Sequence, residues 1–198
     1  MNASLKKRLL AYLIDILIVS VVFSLCTLNY SDVKIESYDN EVSTLTNDFV
    51  SGKISSYNYL SGYADIVYDI QYESLYRNII YLVICVGYFM IFQYLNKGQT
   101  VGKKLMGIRV VDKDNDNVSF LQMFIRTCII NEIMYYLMTI ILVIFANRIV
   151  LLAGYGLLGL VNNLVIIISF IMIVRRNDNR GIHDMLSHTH VVEIGRDE

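Results

Sequence analysis

Residues 9–28 form a membrane-length apolar run interrupted by one carboxylate, Asp15, seven residues after Arg8. A helix of twenty residues spans about 30 Å, the thickness of a bilayer core. Lipid offers no partner to backbone N–H and C=O groups, so a crossing segment of this kind must be helical. Arg8 and Asp15 then fall on nearly the same helix face, about 10 Å apart along the axis. The cation sits at the headgroups and the carboxyl below it. An acid at the helix centre costs about 2.5–3.5 kcal/mol on insertion scales, so Asp15 is expected to face protein or a water-filled cavity. It is either a packing device hydrogen-bonded between helices or a transport or proton-relay group.

The rest of the chain repeats the pattern. Of 198 residues 55% are hydrophobic and 18% charged, against about 25% charged in soluble domains. The charges are segregated. Lys6, Lys7 and Arg8 precede the first run; Lys97, Lys103, Lys104, Arg109, Lys113 and Arg126 lie between 96 and 126; Arg175, Arg176, Arg180 and Arg196 follow the last run. Residues 30–76 hold eight acids and only Lys34 and Lys53 as bases. Basic flanks stay in the cytoplasm, which places both termini inside and the 30–76 loop outside. The expected fold is an all-α integral membrane protein of four transmembrane helices, with spans at about 9–28, 78–95, 124–146 and 149–174. One membrane domain, 1–198, then carries a long extracellular loop, a cytoplasmic loop at 96–123 and a cytoplasmic tail at 175–198. The cell membrane is the expected location. With no proline in the chain, no span is expected to carry a proline kink.

Several familiar chemistries are excluded by spacing. Cys26, Cys85 and Cys128 all lie in apolar segments, which argues against a disulfide scaffold. The N-terminal run is too long for a signal peptide, carries Asp15, and lacks a small-residue cleavage site. Gly154-Tyr155-Gly156-Leu157-Leu158-Gly159 fits a dinucleotide fingerprint, but no strand precedes it and it lies in a membrane run, where small residues serve helix packing. Asp112, Asp114 and Asp116 mimic a calcium loop whose sixth and twelfth positions are Asn117 and Met123 instead of Gly and Glu, so a solvated turn is expected. His183, His188 and His190 fit no common zinc spacing. No cofactor, metal or nucleic acid is implied, and no nucleophile–base set points to an enzyme.

Two further motifs remain. The loop at 98–112 reads Gly98-Gln99-Thr100-Val101-Gly102-Lys103-Lys104-Leu105-Met106-Gly107-Ile108-Arg109-Val110-Val111-Asp112, and the tail reads Gly181-Ile182-His183-Asp184-Met185-Leu186-Ser187-His188-Thr189-His190-Val191-Val192. With Arg8, Ala11, Ile14 and Asp15, the chain resembles the RDD family of membrane proteins, named for one arginine and two aspartates. By motif position these are Arg8, Asp15 and Asp184. The resemblance covers nearly the whole chain and leaves the outer loop as its own. It implies an integral membrane protein with a transport-related role, sodium/proton exchange having been attributed to some members.

Read physically, the Gly98, Thr100, Gly102, Lys103 motif is not a phosphate loop, because its glycines are one residue too close and Lys104 replaces the required hydroxyl residue. Its glycines permit tight turns, and Lys103 and Lys104 would meet anionic headgroups. Ile108–Val111 and Val118–Phe120 suggest a short cytoplasmic β-hairpin, with Thr189–Ile194 as a strand that could join it. His183 and Asp184 would dock the tail, Asp184 pairing with Arg8 or Arg126. In the third span Glu132, beside Asn131, lies about 12 Å from the cytoplasmic end, close to the depth of Asp15. Asp15, Glu132 and Asn131 could therefore share a proton or cation, Asn162 or Asn163 adding oxygens, or Asn131 and Glu132 could simply knit helices together. Tyr68, Tyr72 and Tyr76 recur at helical spacing, so the second helix is expected to begin well before the membrane. The leading expectation is a cation/proton exchanger, homo-oligomeric because four helices make a thin pathway. The alternative is a membrane adaptor or regulator holding a partner membrane protein.

Overall fold

The computed structural model describes residues 2–29, 35–114, 116–176 and 178–194; Lys34 and Arg196 of the charge argument lie outside them. The first apolar run is one helix, α1 (Leu5–Thr27), started by Ser4, whose hydroxyl accepts the Lys7 N–H. It is followed by a helical hairpin, α2 (Ile35–Val50) and α3 (Ser56–Glu73), within the stretch expected as a long loop; Tyr68 and Tyr72 lie in α3, helical as their spacing predicted. Ser55 caps α3, Phe49 stacks on Tyr59 at 4.7 Å, and Leu45 lies against Gly62, so the hairpin closes on its own apolar side chains. After Ser74 the chain runs on helically through α4 (Leu75–Cys85), a π-helical segment (Val86–Phe92) and α5 (Gln93–Leu95).

A short helix, α6 (Val101–Leu105), leads into strand β1 (Ile108–Asp112). Then come α7 (Phe120–Ile130), α8 (Ile133–Phe145), α9 (Arg148–Arg175), α10 (Ile182–Leu186) and β2 (Thr189–Glu193). Caps explain most of the boundaries. Ser119 and Gln122 form a reciprocal capping box at α7, and Asn147 accepts the Val150 N–H at α9.

Three helical stretches, Leu5–Thr27, Leu75–Leu95 and Arg148–Arg175, are long and apolar enough to cross a membrane, and α7 with α8 makes a fourth if the pair is one span. That pair bends by 71°. The expected third span is therefore broken, and the bend needs no proline. Asn131 leaves helical geometry, and Glu132 adopts the left-handed conformation at φ 56°, which a non-glycine residue enters only when its surroundings impose it.

The expected hairpin between Ile108–Val111 and Val118–Phe120 is not the sheet that forms. β1 pairs antiparallel with β2 of the tail, Val110 opposite Val191, because Phe120 is already committed to α7 by the Ser119 cap. Asn117 makes only an isolated bridge to Val111. Asn2 bridges Val192 and the Ala3 N–H donates to the Val191 carbonyl, so both ends of the chain meet at one end of the bundle. Asp112 Oδ1 accepts the N–H groups of Asp114 and Asp116, as a solvated turn should. Two apolar clusters hold the bundle. One joins Ala3, Ala11, Ile108, Val110, Met123 and Val191 at this basic end, and the other joins Val19, Cys85, Phe89, Cys128 and Ile133 deeper in.

Candidate functional site

Arg8, Asp15 and Asp184 anchor two separate polar joints at the basic end. Asp184 is fully buried at the start of α10, where its Oδ2 accepts the Gly181 N–H at 3.0 Å and caps the helix. Arg8 Nη2 donates to the same oxygen at 2.7 Å, and Arg126 Nη1 donates to Oδ1. Both pairings open to Asp184 from the sequence thus form at once. Arg126 also reaches Thr189 Oγ1, and Arg8 the Asn179 carbonyl, so α1, α7, the tail and β2 are tied through one carboxylate. Burial pushes the Asp184 carboxyl up, but the Arg126 and Arg8 guanidiniums outweigh it and hold the group well below the usual carboxylate range.

Asp15 makes the second joint. It is fully buried; Oδ1 accepts from the Tyr88 hydroxyl at 2.7 Å and the Gly102 N–H at 2.8 Å, while Oδ2 accepts from the Thr100 hydroxyl at 2.5 Å. Thr100 is also the N-cap of α6, accepting the Lys103 N–H, so its one hydroxyl serves both the helix and the acid. Gly102 is required by contact: a Cβ there would overlap the Ala11 carbonyl oxygen. Gly98 is required by conformation, at φ +85° and packed on the Val110 carbonyl. The Gly98-to-Lys103 motif is thus a socket for the α1 carboxylate.

Lys103 does not face the headgroups as expected. Its ammonium points inward, 3.9 Å from Asp15 Oδ2 and within 3.5 Å of Gln93 Oε1 and Thr100 Oγ1, while Lys104 is exposed. Burial lowers the Lys103 ammonium to about 8, Asp15 pulling the other way and Arg126 and Arg8 adding to the depression.

Beside these joints lies a cavity of about 250 Å³ between α1, α7 and α9. Arg8, Lys103, Arg126 and His183 line one part of it, Asn131 and Glu132 another, and Leu9, Tyr12, Ile129, Ile166 and Phe170 are among its apolar walls. Of the intramembrane acids proposed to share a ligand, Glu132 lines this cavity with Asn131, whereas Asp15 is spent on its socket and is not a lining residue. Asn163 bonds back to the Gly159 carbonyl of its own helix. His183 Nδ1 is 3.0 Å from Ser169 Oγ, and Ser169 also accepts the Ile182 N–H. Burial lowers the His183 pKa, with Arg126 and Arg8 contributing, so the ring is neutral at pH 7. Among the described residues no group of three or more His, Cys, Asp or Glu side chains is placed to hold a metal ion.

Tyr88 and Ser169 escaped the sequence reading. Ser169 could have been found as the isolated hydroxyl in the long apolar stretch that becomes α9, whereas nothing local distinguishes Tyr88 among fifteen tyrosines.

A mostly helical bundle with three or four membrane-length elements, closed at one end by an Arg–Asp joint, is the setting in which the motifs sit. The RDD family model matches residues 2–188, nearly the whole chain, and the chain belongs to that family. A protein of Bacillus subtilis (strain 168), described as the uncharacterized protein YckC, is 32% identical over 95 residues, covering 48% of this chain and 47% of that protein. The chain thus matches about half the length of that relative. No solved structure matches.

Proposed function

We propose that this protein exchanges protons for small cations across the cell membrane, with Glu132 as the carboxyl that meets the ion. The observation that carries this reading is the break between α7 and α8. Irregular backbone at membrane depth is tolerated where it lines a cavity or is buried in protein, and broken helices supply ion sites in transporters. Here the break places a left-handed Glu132 and the Asn131 amide on the cavity wall. A carboxylate and an amide oxygen are hard donors suited to a small cation, and a proton competes for the same carboxylate.

Both termini and the β1–β2 sheet are assigned to the cytoplasm by the positive-inside rule, and the α2–α3 hairpin to the outside. Along α9 only Leu151 and Ser169 are buried, which suits a lipid-facing helix or the contact of a homo-oligomer. Purified protein in proteoliposomes with an entrapped pH dye tests the exchange. An imposed Na⁺ or K⁺ gradient should drive opposite proton movement, and Glu132→Gln should abolish it. Absence of coupled movement in well-folded wild type would refute the reading and bring forward the adaptor role, for which the α2–α3 hairpin offers exposed Tyr57, Leu60 and Tyr72.

A further inference from the structure

The cavity is larger than a cation requires. A water or bare ion needs about 10–15 Å³ of such space, and about 250 Å³ is present. Its chemistry is also divided. The walls from α1, α7 and α9 are hydrocarbon, and Leu9, Ile166 and Phe170 are each more than one-third exposed, so this part reaches the outer surface of the bundle. The other part gathers three cations, Arg8, Lys103 and Arg126, against the two carboxylates they touch, Asp184 and Asp15. Glu132 lines the same cavity from the break between α7 and α8 and makes no ion pair with these groups among the described residues.

His183 supplies an independent sign of a missing ligand. It is 3% exposed and lines the cavity, yet its Nε2 has no hydrogen-bond partner and lies 3.3 Å from Asp184 Oδ2 without bonding geometry. Ser169 accepts the Ile182 N–H and can donate its own proton to Nδ1. In that tautomer Nε2 carries the ring proton and is an unused donor, which a buried site does not leave idle without cost.

We propose that this cavity binds an acidic phospholipid of the bilayer, its phosphate between Arg8, Lys103 and His183 and one acyl chain along the α9 wall. The phosphate oxygens accept from the guanidinium, the ammonium and Nε2–H, and the chain fills space that water wets poorly. Basic recesses between membrane helices bind acidic headgroups. The site is independent of the exchange proposed above, because Glu132 is not one of its contacts.

Its test reads binding directly. Delipidated protein in neutral detergent is titrated with phosphatidylglycerol, phosphatidylcholine and inorganic phosphate, following the melting temperature and the mass of the intact complex. Phosphatidylglycerol should raise the melting temperature saturably and add one lipid mass, with phosphatidylcholine at least tenfold weaker and phosphate alone without effect at millimolar concentration. Ile166→Trp, which fills the apolar part, and Lys103→Gln should each weaken phosphatidylglycerol binding at least tenfold. Should Ile166→Trp not fold, Leu9→Trp fills the cavity from the opposite wall. Equal binding of both lipids would overturn the charge argument. An equal effect of phosphate alone would leave a free-anion site and no lipid site, and undiminished binding in the filled variant would place the lipid elsewhere.

Discussion

Replacing Asp184 by asparagine removes one charge from a joint that two arginines share. The carboxylate is fully buried, and the Arg8 and Arg126 side chains are 11% and 5% exposed, so neither can turn to water to recover what it loses. Breaking a buried pair by removing one partner costs about 3–5 kcal/mol, because the remaining charge stays desolvated. At about 1.4 kcal/mol per decade, that is a fall of roughly 140- to 3700-fold in the folded-to-unfolded ratio. Arg8→Ala should cost less, about 1.5–3 kcal/mol, since Arg126 still neutralises Asp184. The double variant Arg8→Ala/Asp184→Asn should then cost less than the sum of the singles, as expected for residues in one network. Reversible unfolding by SDS in mixed micelles at pH 7 measures all three. The sign of the pH dependence follows from the same contact. The Asp184 carboxyl is held below its unfolded value near 3.9, so its stabilisation is full above that pH and is lost as pH falls through the folded value. Asp184→Asn should lack this share of the acid sensitivity. An Asp184→Asn protein within 0.5 kcal/mol of wild type, or an additive double variant, would refute the joint.

Gly102→Ala should destabilise by about 1–3 kcal/mol, because the added methyl forces α6 off the Ala11 carbonyl and strains the Asp15 socket; unchanged stability would show that the socket does not hold α6 to α1. The His183 and His190 pKa values are both lowered, so stability should be full above pH 6.5 and fall below it as the unfolded chain takes up protons first, by at most about 1.4 kcal/mol per pH unit for each. His183→Gln should flatten its part of that slope between pH 7 and 5, and an unchanged slope would contradict the burial argument. Single cysteines at Val50 and Leu105, both exposed, in a background lacking Cys26, Cys85 and Cys128, should react from opposite sides of the membrane. Reaction from one side would contradict the orientation assigned from charge.

The parts of this molecule that follow from local pattern were legible in the sequence. The apolar runs give α1, the 75–95 stretch and α9, and the basic flanks mark the end where both termini meet. Arg8 and Asp15 stood out because charged residues sit beside or within hydrocarbon, whereas Asp184 and the glycine motif stood out through the resemblance to the RDD family. What stayed hidden depends on distant residues. Asp15 finds Tyr88 and Thr100 across 73 and 85 positions, and only packing selects them. The bend at Asn131 and Glu132 has no proline or glycine to announce it; the left-handed turn is imposed by neighbours. The strand partner of β1 was ambiguous because Val118 and Val191 both fit an apolar edge, and the Ser119 cap decides between them. The α2–α3 hairpin escaped because its surface is polar, while the few apolar contacts that close it, Phe49 on Tyr59 and Leu45 against Gly62, are spread across both helices.

The central claim is that one carboxyl at the helix break is contested by a proton and a cation. Proton release on cation binding measures this without a membrane. Purified protein in weakly buffered detergent solution, at a series of pH values from 4 to 8, is mixed with NaCl or KCl, against a salt control of a bulky organic cation, and the released protons are followed with an indicator dye. The account predicts saturable release of up to one proton per chain in wild type, its loss in Glu132→Gln, and its retention in a folded variant altered only on the α2–α3 hairpin. No release from folded wild type, or the same release from Glu132→Gln, would contradict it.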